Sequence, residues 1–294
     1  MRRSMLFLPG NNPNMLINGD VLGADAVILD LEDAVAPDEK DAARVLVRNV
    51  LSALDFSSVE VIIRVNAVAA DGFWISDLDE IIPLKPQCIM ATKTRDAEYI
   101  RSVSAYMGEV EARHSIPVGT VKIIALIETA IGLENAFAIA AADPRVNAIF
   151  LGAEDLTADL RSARSKSGEE IAYARGRIVA AARAANIAVY DTPFTDVNDD
   201  EGIVADTRLA KALGFSGKAA ISPRHVSVIN DVFSPTRDEV DYAYRVLEAI
   251  EEAKAQGKGA VSLFGKMIDA PIVSRAKQVL ALDAAINGNG GKAK

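Results

Sequence analysis

Short runs of residues apolar on both faces recur along the chain, separated by amphipathic stretches of helical spacing. The runs fall at 5–8, 26–31, 61–65, 88–91, 121–127, 148–151, 187–190 and 217–221. A strand that alternates apolar and polar residues has one wet face. A strand apolar throughout is covered on both, as in parallel sheets whose crossover helices pack outside. Helical patterns occupy 39–53, 96–113, 132–142, 169–186 and 199–213. Eight strands alternating with helices predict an α/β fold, a (β/α)8 TIM barrel over residues 1–230. The rival is an open doubly wound sheet. It would place a G-x-G-x-x-G turn after the first strand, and none is there.

Past the eighth run, 236–256 carries a helical stripe through Val240, Tyr244, Leu247 and Ile250, and 271–286 reads as a further helix with Pro271 in its first turn. Residues 231–286 are therefore expected to form a C-terminal helical extension. The glycine-rich stretch 257–270 reads as an ordered loop within it, and the glycine- and asparagine-rich tail 287–294 as disordered.

Half of the 294 residues are hydrophobic and only 5% aromatic, so the core must be aliphatic. Acidic residues outnumber basic ones 41 to 32, and no basic tract stands out, which argues against nucleic-acid binding. The apolar run after Arg2-Arg3 stops at Pro9-Gly10, too early for a secretion signal. No segment approaches the ~20 apolar residues of a membrane span. The single cysteine, Cys88, permits no intrachain disulfide and suits a reducing cytoplasm. The two histidines cannot build a zinc site alone. A cytoplasmic protein without a membrane partner is expected.

In such barrels, polar residues at the C-terminal ends of strands carry the chemistry. The strand ends here hold Asp30, Glu32, Asp33, Arg64, Asn66, Lys93, Glu128, Asp155 and Asp191. Acids and cations at the mouths of apolar strands suggest an anionic substrate and a hard cation. Glu128 and Asp155 end adjacent strands, which lie ~5 Å apart, so both can reach one Mg²⁺ ion. The alternative is that each caps its own helix. Arg64 lies in an apolar run and must be paired if buried, either with a substrate carboxylate or with an internal acid such as Asp30 or Glu32. Lys40, Arg44 and Arg48 follow at i, i+4 and i+8 on one helix, a face that could receive the phosphates of coenzyme A or an acidic acyl carrier protein, or be merely solvated. Lys93 could form a Schiff base, but the paired carboxylates favour the metal route.

These strand ends resemble a known family. RRSMLFLPGNNPNM at 2–15, DAVILDLEDAVAPDEKDAAR at 25–44, IIRVNA at 62–67, ALIETAIGLENA at 125–136, FLGAEDLTADL at 150–160 and GKMIDAPI at 265–272 are similar to the β subunit of citrate lyase and to the citramalyl-CoA and malyl-CoA lyases of the HpcH/HpaI aldolase superfamily. The chain departs at strand four, where Met90 and Thr92 replace the arginine and proline of the family's R-L-P-K-T segment, with Lys93 retained. The stretch from Arg161 to Lys166 leans toward the citrate lyase branch. The resemblance implies a Mg²⁺ held by Glu128 and Asp155, and a keto-acid carboxylate on Arg64. It implies Asp269 as an acid/base reaching a neighbouring subunit's site, and a homotrimer or larger assembly, with other citrate lyase subunits among its partners. The expected reaction is cleavage of a citryl-type 3-hydroxyacyl thioester to a 2-keto acid, oxaloacetate, and an acetyl thioester. Open alternatives are a stand-alone citramalyl-CoA or malyl-CoA lyase, a malate synthase or thioesterase on the same scaffold, and a non-catalytic subunit that docks a carrier.

Overall fold

The computed structural model describes residues 1–69, 71–255 and 261–289. Eight parallel strands close into a barrel in sequence order: β1 (Ser4–Pro9), β2 (Ala26–Asp30), β3 (Glu60–Val65), β4 (Cys88–Ala91), β5 (Lys122–Ile127), β6 (Val146–Leu151), β7 (Ala188–Asp191) and β8 (Gly217–Ala220), which pairs back onto β1. The expected TIM barrel is what forms. The helices in this part of the chain are α1 (Pro13–Leu16), α2 (Lys40–Ala53), α3 (Phe73–Ile81), α4 (Ala97–Arg113), α5 (Ala130–Glu134), α6 (Ala136–Ala140), α7 (Ala153–Asp159), α8 (Ala172–Ala184), α9 (Asp200–Leu213) and α10 (Pro223–Phe233). No helix among the described residues is long and apolar enough to cross a membrane.

Two segments differ from the sequence reading. The helix expected over 132–142 is broken at Asn135 into α5 and α6, where the Asn135 side chain donates to Arg95 O at 2.9 Å instead of staying on a helix face. The crossover from β3 to β4 holds α3, whose apolar stripe is interrupted by the fully buried Asp77.

Alternate residues of each strand point inward. Met5, Ala26, Ile28, Ile62, Met90, Ile124, Leu126, Ala148, Phe150, Tyr190 and Ala219 form the barrel's interior cluster. The N-terminal end of the barrel is closed by Arg2, whose guanidinium bonds both Glu60 oxygens (2.7 and 2.6 Å), Tyr190 Oη (3.3 Å) and Cys88 Sγ (3.1 Å). Burial pushes the Cys88 thiol up to about 11, which makes it a packing residue and not a nucleophile.

His225 in α10 is buried beside Phe194, with ring centroids 6.3 Å apart, and neither ring nitrogen has a hydrogen bond. Burial, helped by the charges of Arg224 and Lys218 and opposed by Asp200 and Asp196, pushes its imidazole below the ordinary 6.5. A base with a lowered folded pKa binds its proton more readily in the unfolded chain. The neutral, buried ring therefore contributes stability that is present above the unfolded value and lost as pH falls below it. The Tm of the wild type is expected to drop more steeply than that of His225→Leu as pH falls from about 7 to about 5. Parallel curves would rule this out.

The chain divides into two compact units, Arg2–Asn230 and, together with Met1, Asp231–Lys294. Within the second, α11 (Arg237–Ala255) and α12 (Ala270–Asn289) pack around Ala243, Val246, Ile268 and Ala276. The stretch expected to be a loop contains an antiparallel hairpin, β9 (Val261–Leu263) with β10 (Lys266–Ile268), and 257–260 lie outside the described residues. Phe264 and Gly265 turn it at φ of 52° and 75°, the positive values a two-residue hairpin turn requires. The tail expected to be disordered from 287 starts inside α12, and 290–294 lie outside the described residues.

Candidate active site

The same period of two that fills the barrel also builds its mouth. One step past the inward-facing Ile28, Ile62, Leu126, Phe150 and Tyr190 stand Asp30, Arg64, Glu128, Gly152 and Thr192. All five line one cavity of about 300 Å³, which Asp33 and Asp155 also border. Eight converging strand ends thus replace the last apolar layer with a charged one.

Asp30 is buried, and its carboxylate accepts from Glu32 N (2.9 Å) and Ala34 N (3.2 Å), which folds the acidic loop after β2 back over the strand end. Arg64 meets it in the next strand: Nε and Nη2 bond the two Asp30 oxygens at 2.6 and 2.5 Å, and Nη1 lies 3.2 Å from Glu32 Oε2 and 3.8 Å from Asp33. The guanidinium also lies over the Phe7 ring, 5.1 Å from its centroid. Of the two partners weighed for Arg64, the internal acid is present. The arginine nonetheless borders the cavity.

Neither Glu128 nor Asp155 caps a helix. Thr129 caps α5, its hydroxyl accepting from Gly132 N at 3.1 Å, and α7 starts at Gly152 without a side-chain cap. Glu128 is buried, accepts from Lys93 N at 2.6 Å, and packs on Gly152, where a Cβ would meet its Oε2 at 2.8 Å. Burial above all, with the charges of Glu32 and Asp155 adding to it, pushes the Glu128 carboxyl up to about 8. Asp155 Oδ2 is buried without a hydrogen bond. The Lys93 ammonium spans Glu32 (2.7 Å), Asp155 (3.3 Å) and Asp33 (3.5 Å). Against the burial that lowers it, the bond and charge of Glu32, with Asp33 and Glu128, hold that ammonium above its ordinary value. Its ion pairs with Glu32 and Asp155 favour the charged form over the free amine that a Schiff base needs.

The site fits a hard divalent cation. Five acids, Asp30, Glu32, Asp33, Glu128 and Asp155, face two basic side chains, Arg64 and Lys93. A carboxyl forced toward its neutral form is relieved by positive charge, and Asp155 Oδ2 already draws the Lys93 ammonium to 3.3 Å. Among the described residues no group of three His, Cys, Asp or Glu could hold a metal unaided. A hard divalent ion such as Mg²⁺ takes one or two carboxylates and keeps its other positions for water and substrate.

The basic face expected on α2 does not form. Lys40 and Arg44 are buried. Lys40 Nζ donates to Leu31 O (2.8 Å) and Glu32 O (2.6 Å), which pins the acidic loop. Arg44 Nε bonds Asp77 (2.8 Å), which also accepts from the amide and the side chain of Asn66 (2.8 and 2.7 Å). These residues brace the ends of β2 and β3 from behind, and neither lines the cavity. Only Arg48 is substantially exposed, paired with Glu80 at 2.8 Å. The reason was present in the sequence: Lys40 and Arg44 share a helical face with Ala43, Val47 and Val50, the face that packs inward. Asp269 belongs to the C-terminal unit, where its carboxylate caps α12 by accepting from Ile272 N at 3.2 Å.

Sequence reasoning places Gly152 and Thr192 at the ends of the sixth and seventh strands but gives them no role, although both lie one inward step beyond large interior residues. It also could not see that the amide of Lys93, and not only its side chain, serves the site.

The family model for HpcH/HpaI aldolase/citrate lyase matches residues 3–223. The chain belongs to this family. It is 42% identical over 282 residues to the citrate lyase subunit beta of Leuconostoc mesenteroides subsp. cremoris, covering 96% of this chain and 93% of the relative. It is 30% identical over 296 residues to the mitochondrial citramalyl-CoA lyase of Homo sapiens, covering 97% and 86%. Its structure is similar to that of the protein CitE from Mycobacterium tuberculosis in complex with magnesium, acetoacetate and coenzyme A, at a TM-score of 0.79 and 29% identity over 96% of this chain and 98% of that one. These relatives are lyases, and this member of the HpcH/HpaI aldolase/citrate lyase family is an enzyme of that class.

Proposed function

We propose that the enzyme is a Mg²⁺-dependent carbon–carbon lyase that cleaves a citryl-type 3-hydroxyacyl thioester, on coenzyme A or an acyl carrier protein, to oxaloacetate and an acetyl thioester, as the beta subunit of a citrate lyase. The observation that carries this is that two carboxylates from adjacent strand ends, Glu128, pushed toward its neutral form by burial, and Asp155, border one cavity with a half-buried arginine, Arg64. Four curated relatives of 40 to 42% identity are citrate lyase beta subunits, which favours the citryl substrate.

Glu128 and Asp155 would hold the ion. Bound there, Mg²⁺ would supply Lewis-acid stabilisation to the substrate oxygen that becomes the keto acid's carbonyl. Asp30 takes Nε and Nη2 of Arg64 and fixes the guanidinium plane, so a substrate carboxylate would meet Nη1 in competition with Glu32 Oε2, 3.2 Å away. A base removes the proton from the C3 hydroxyl, and we assign it to Asp269 of a neighbouring subunit in a homotrimer or larger assembly. The C2–C3 bond breaks, its electron pair moving into the thioester carbonyl as an enolate while C3 becomes the ketone. The enolate carbon then takes a proton to give the acetyl thioester. The apolar cavity wall formed by Phe7, Leu126 and Phe150 limits water around that carbanion.

The test is to incubate the protein and Mg²⁺ with citryl-, citramalyl- and malyl-CoA, and to measure keto acid and thioester separately. Keto acid from citryl-CoA with the thioester retained is the expected result. Preference for citramalyl- or malyl-CoA would move the enzyme to that branch of the family, thioester loss would make it a thioesterase, and no keto acid from any of them would overturn the proposal. Arg64→Ala and Asp269→Ala should each be inactive alone and recover partial activity in mixed oligomers. No recovery after verified subunit exchange would remove Asp269 from the neighbour's site.

A further inference from the structure

Lys93 lies in the turn after β4, its backbone in left-handed space at φ 49°, which a residue other than glycine seldom adopts. That conformation sets its N–H against Glu128 Oε1 at 2.6 Å. Its side chain then crosses the acidic cluster, with Nζ 2.7 Å from Glu32 on the loop after β2 and 3.3 Å from Asp155 in α7. The Asp155 oxygen it approaches is the one that is buried without a hydrogen bond. One residue therefore touches both proposed cation ligands, one through its amide and the other through its charge.

We propose that Lys93 is a positioning residue that sets how tightly the site takes its divalent cation: the amide holds Glu128 in place, while the ammonium stands in for the cation at Asp155 and must yield that oxygen when the ion arrives. The inference rests on the reading of Glu128 and Asp155 as the ion's ligands. It accounts for the acids gathered at one cavity, since the tethered ammonium supplies positive charge to Glu32, Asp33 and Asp155. It also fixes a sign. A brace helps the ion and its loss weakens binding. A competing charge opposes the ion and its loss strengthens binding. A unit charge a few ångströms from a divalent ion, even at the dielectric of water, shifts affinity about tenfold.

The experiment titrates Mn²⁺ into chelator-stripped wild-type protein, K93M, K93R and K93G by calorimetry and by the electron paramagnetic resonance of free Mn²⁺. Melting curves in chelator and in Mn²⁺ accompany the titrations. K93M should bind Mn²⁺ about tenfold more tightly, melt lower than wild type in chelator, and gain more from Mn²⁺. K93R, which keeps the charge, should stay near wild type. K93G should bind tightly too, because glycine adopts the left-handed backbone without strain and keeps the amide on Glu128. It carries the test if K93M fails to fold. Binding by K93M and K93G no tighter than wild type would overturn the inference while leaving the ligand assignment standing. Failure of the wild type itself to bind Mn²⁺ would overturn the ligand assignment and the inference with it.

Discussion

Gly152→Ala is expected to cost at least about a hundredfold in kcat/KM while leaving the barrel folded. The argument is steric. Gly152 follows the inward-facing Phe150 by two and lies directly under Glu128. A Cβ there would meet Glu128 Cβ at 2.7 Å, its Oε2 at 2.8 Å and Leu126 Cδ1 at 3.2 Å. The first of these atoms is bonded directly to the backbone just past β5 and cannot swing aside, so the Glu128 carboxylate must move. Its present position is set by the Lys93 amide at 2.6 Å, and a shift of about 1 Å in a group that holds the reacting atoms is enough for a loss of that size. Only one methyl is added, at an ordinary φ of −95°, so no backbone strain accompanies it. Kinetics, a Mn²⁺ titration and a melting curve on the same preparation check the claim. Wild-type kcat/KM and Mn²⁺ affinity in the variant would show that the glycine does not position Glu128.

Glu128→Gln should lose Mn²⁺ binding and activity together, yet melt higher than the wild type in the presence of chelator. The sign follows from the carboxyl being pushed up to about 8 by burial and by its acidic neighbours. An acid whose folded pKa lies above its unfolded value makes the folded state less stable at every pH above that unfolded value, because the unfolded chain ionises it freely. Glutamine keeps the shape and has no proton to lose, so the penalty disappears. A gain of about 1 kcal/mol is about 2 °C for a chain of this length. Asp155→Asn should likewise abolish Mn²⁺ binding, since it removes the charge while keeping the shape. Retained Mn²⁺ affinity in either variant would remove that residue from the ion's ligands. A lower Tm for Glu128→Gln in chelator would mean that the acid's bond to Lys93 outweighs its burial.

Much of this site was legible along the chain because strand geometry is local. Once an apolar run is read as a strand with Ile62 inward, Arg64 must point inward as well, and Leu126 fixes Glu128 in the same way. Strand order was equally legible, since a βα repeat of parallel strands admits a closed barrel with its polar ends on one face. Asp269 is different. No period connects it to the barrel, and it entered only through the family resemblance of the segment around it.

What the sequence determined by itself, then, was the alternation of buried strands with helices and the set of polar residues at their C-terminal ends. Both depend on backbone periods that every residue carries with it. The tertiary structure alone decided which charges meet. Closure set Arg64 against Asp30, buried Glu128 among acids and brought the Lys93 ammonium to Asp155. It turned Lys40 and Arg44 inward to hold the backbone of the acidic loop and Asp77. It also bent the chain at Lys93 so that an amide faces Glu128. Electrostatic pairing depends on distances of a few ångströms between residues tens of positions apart, and only the packing of the whole barrel fixes those distances.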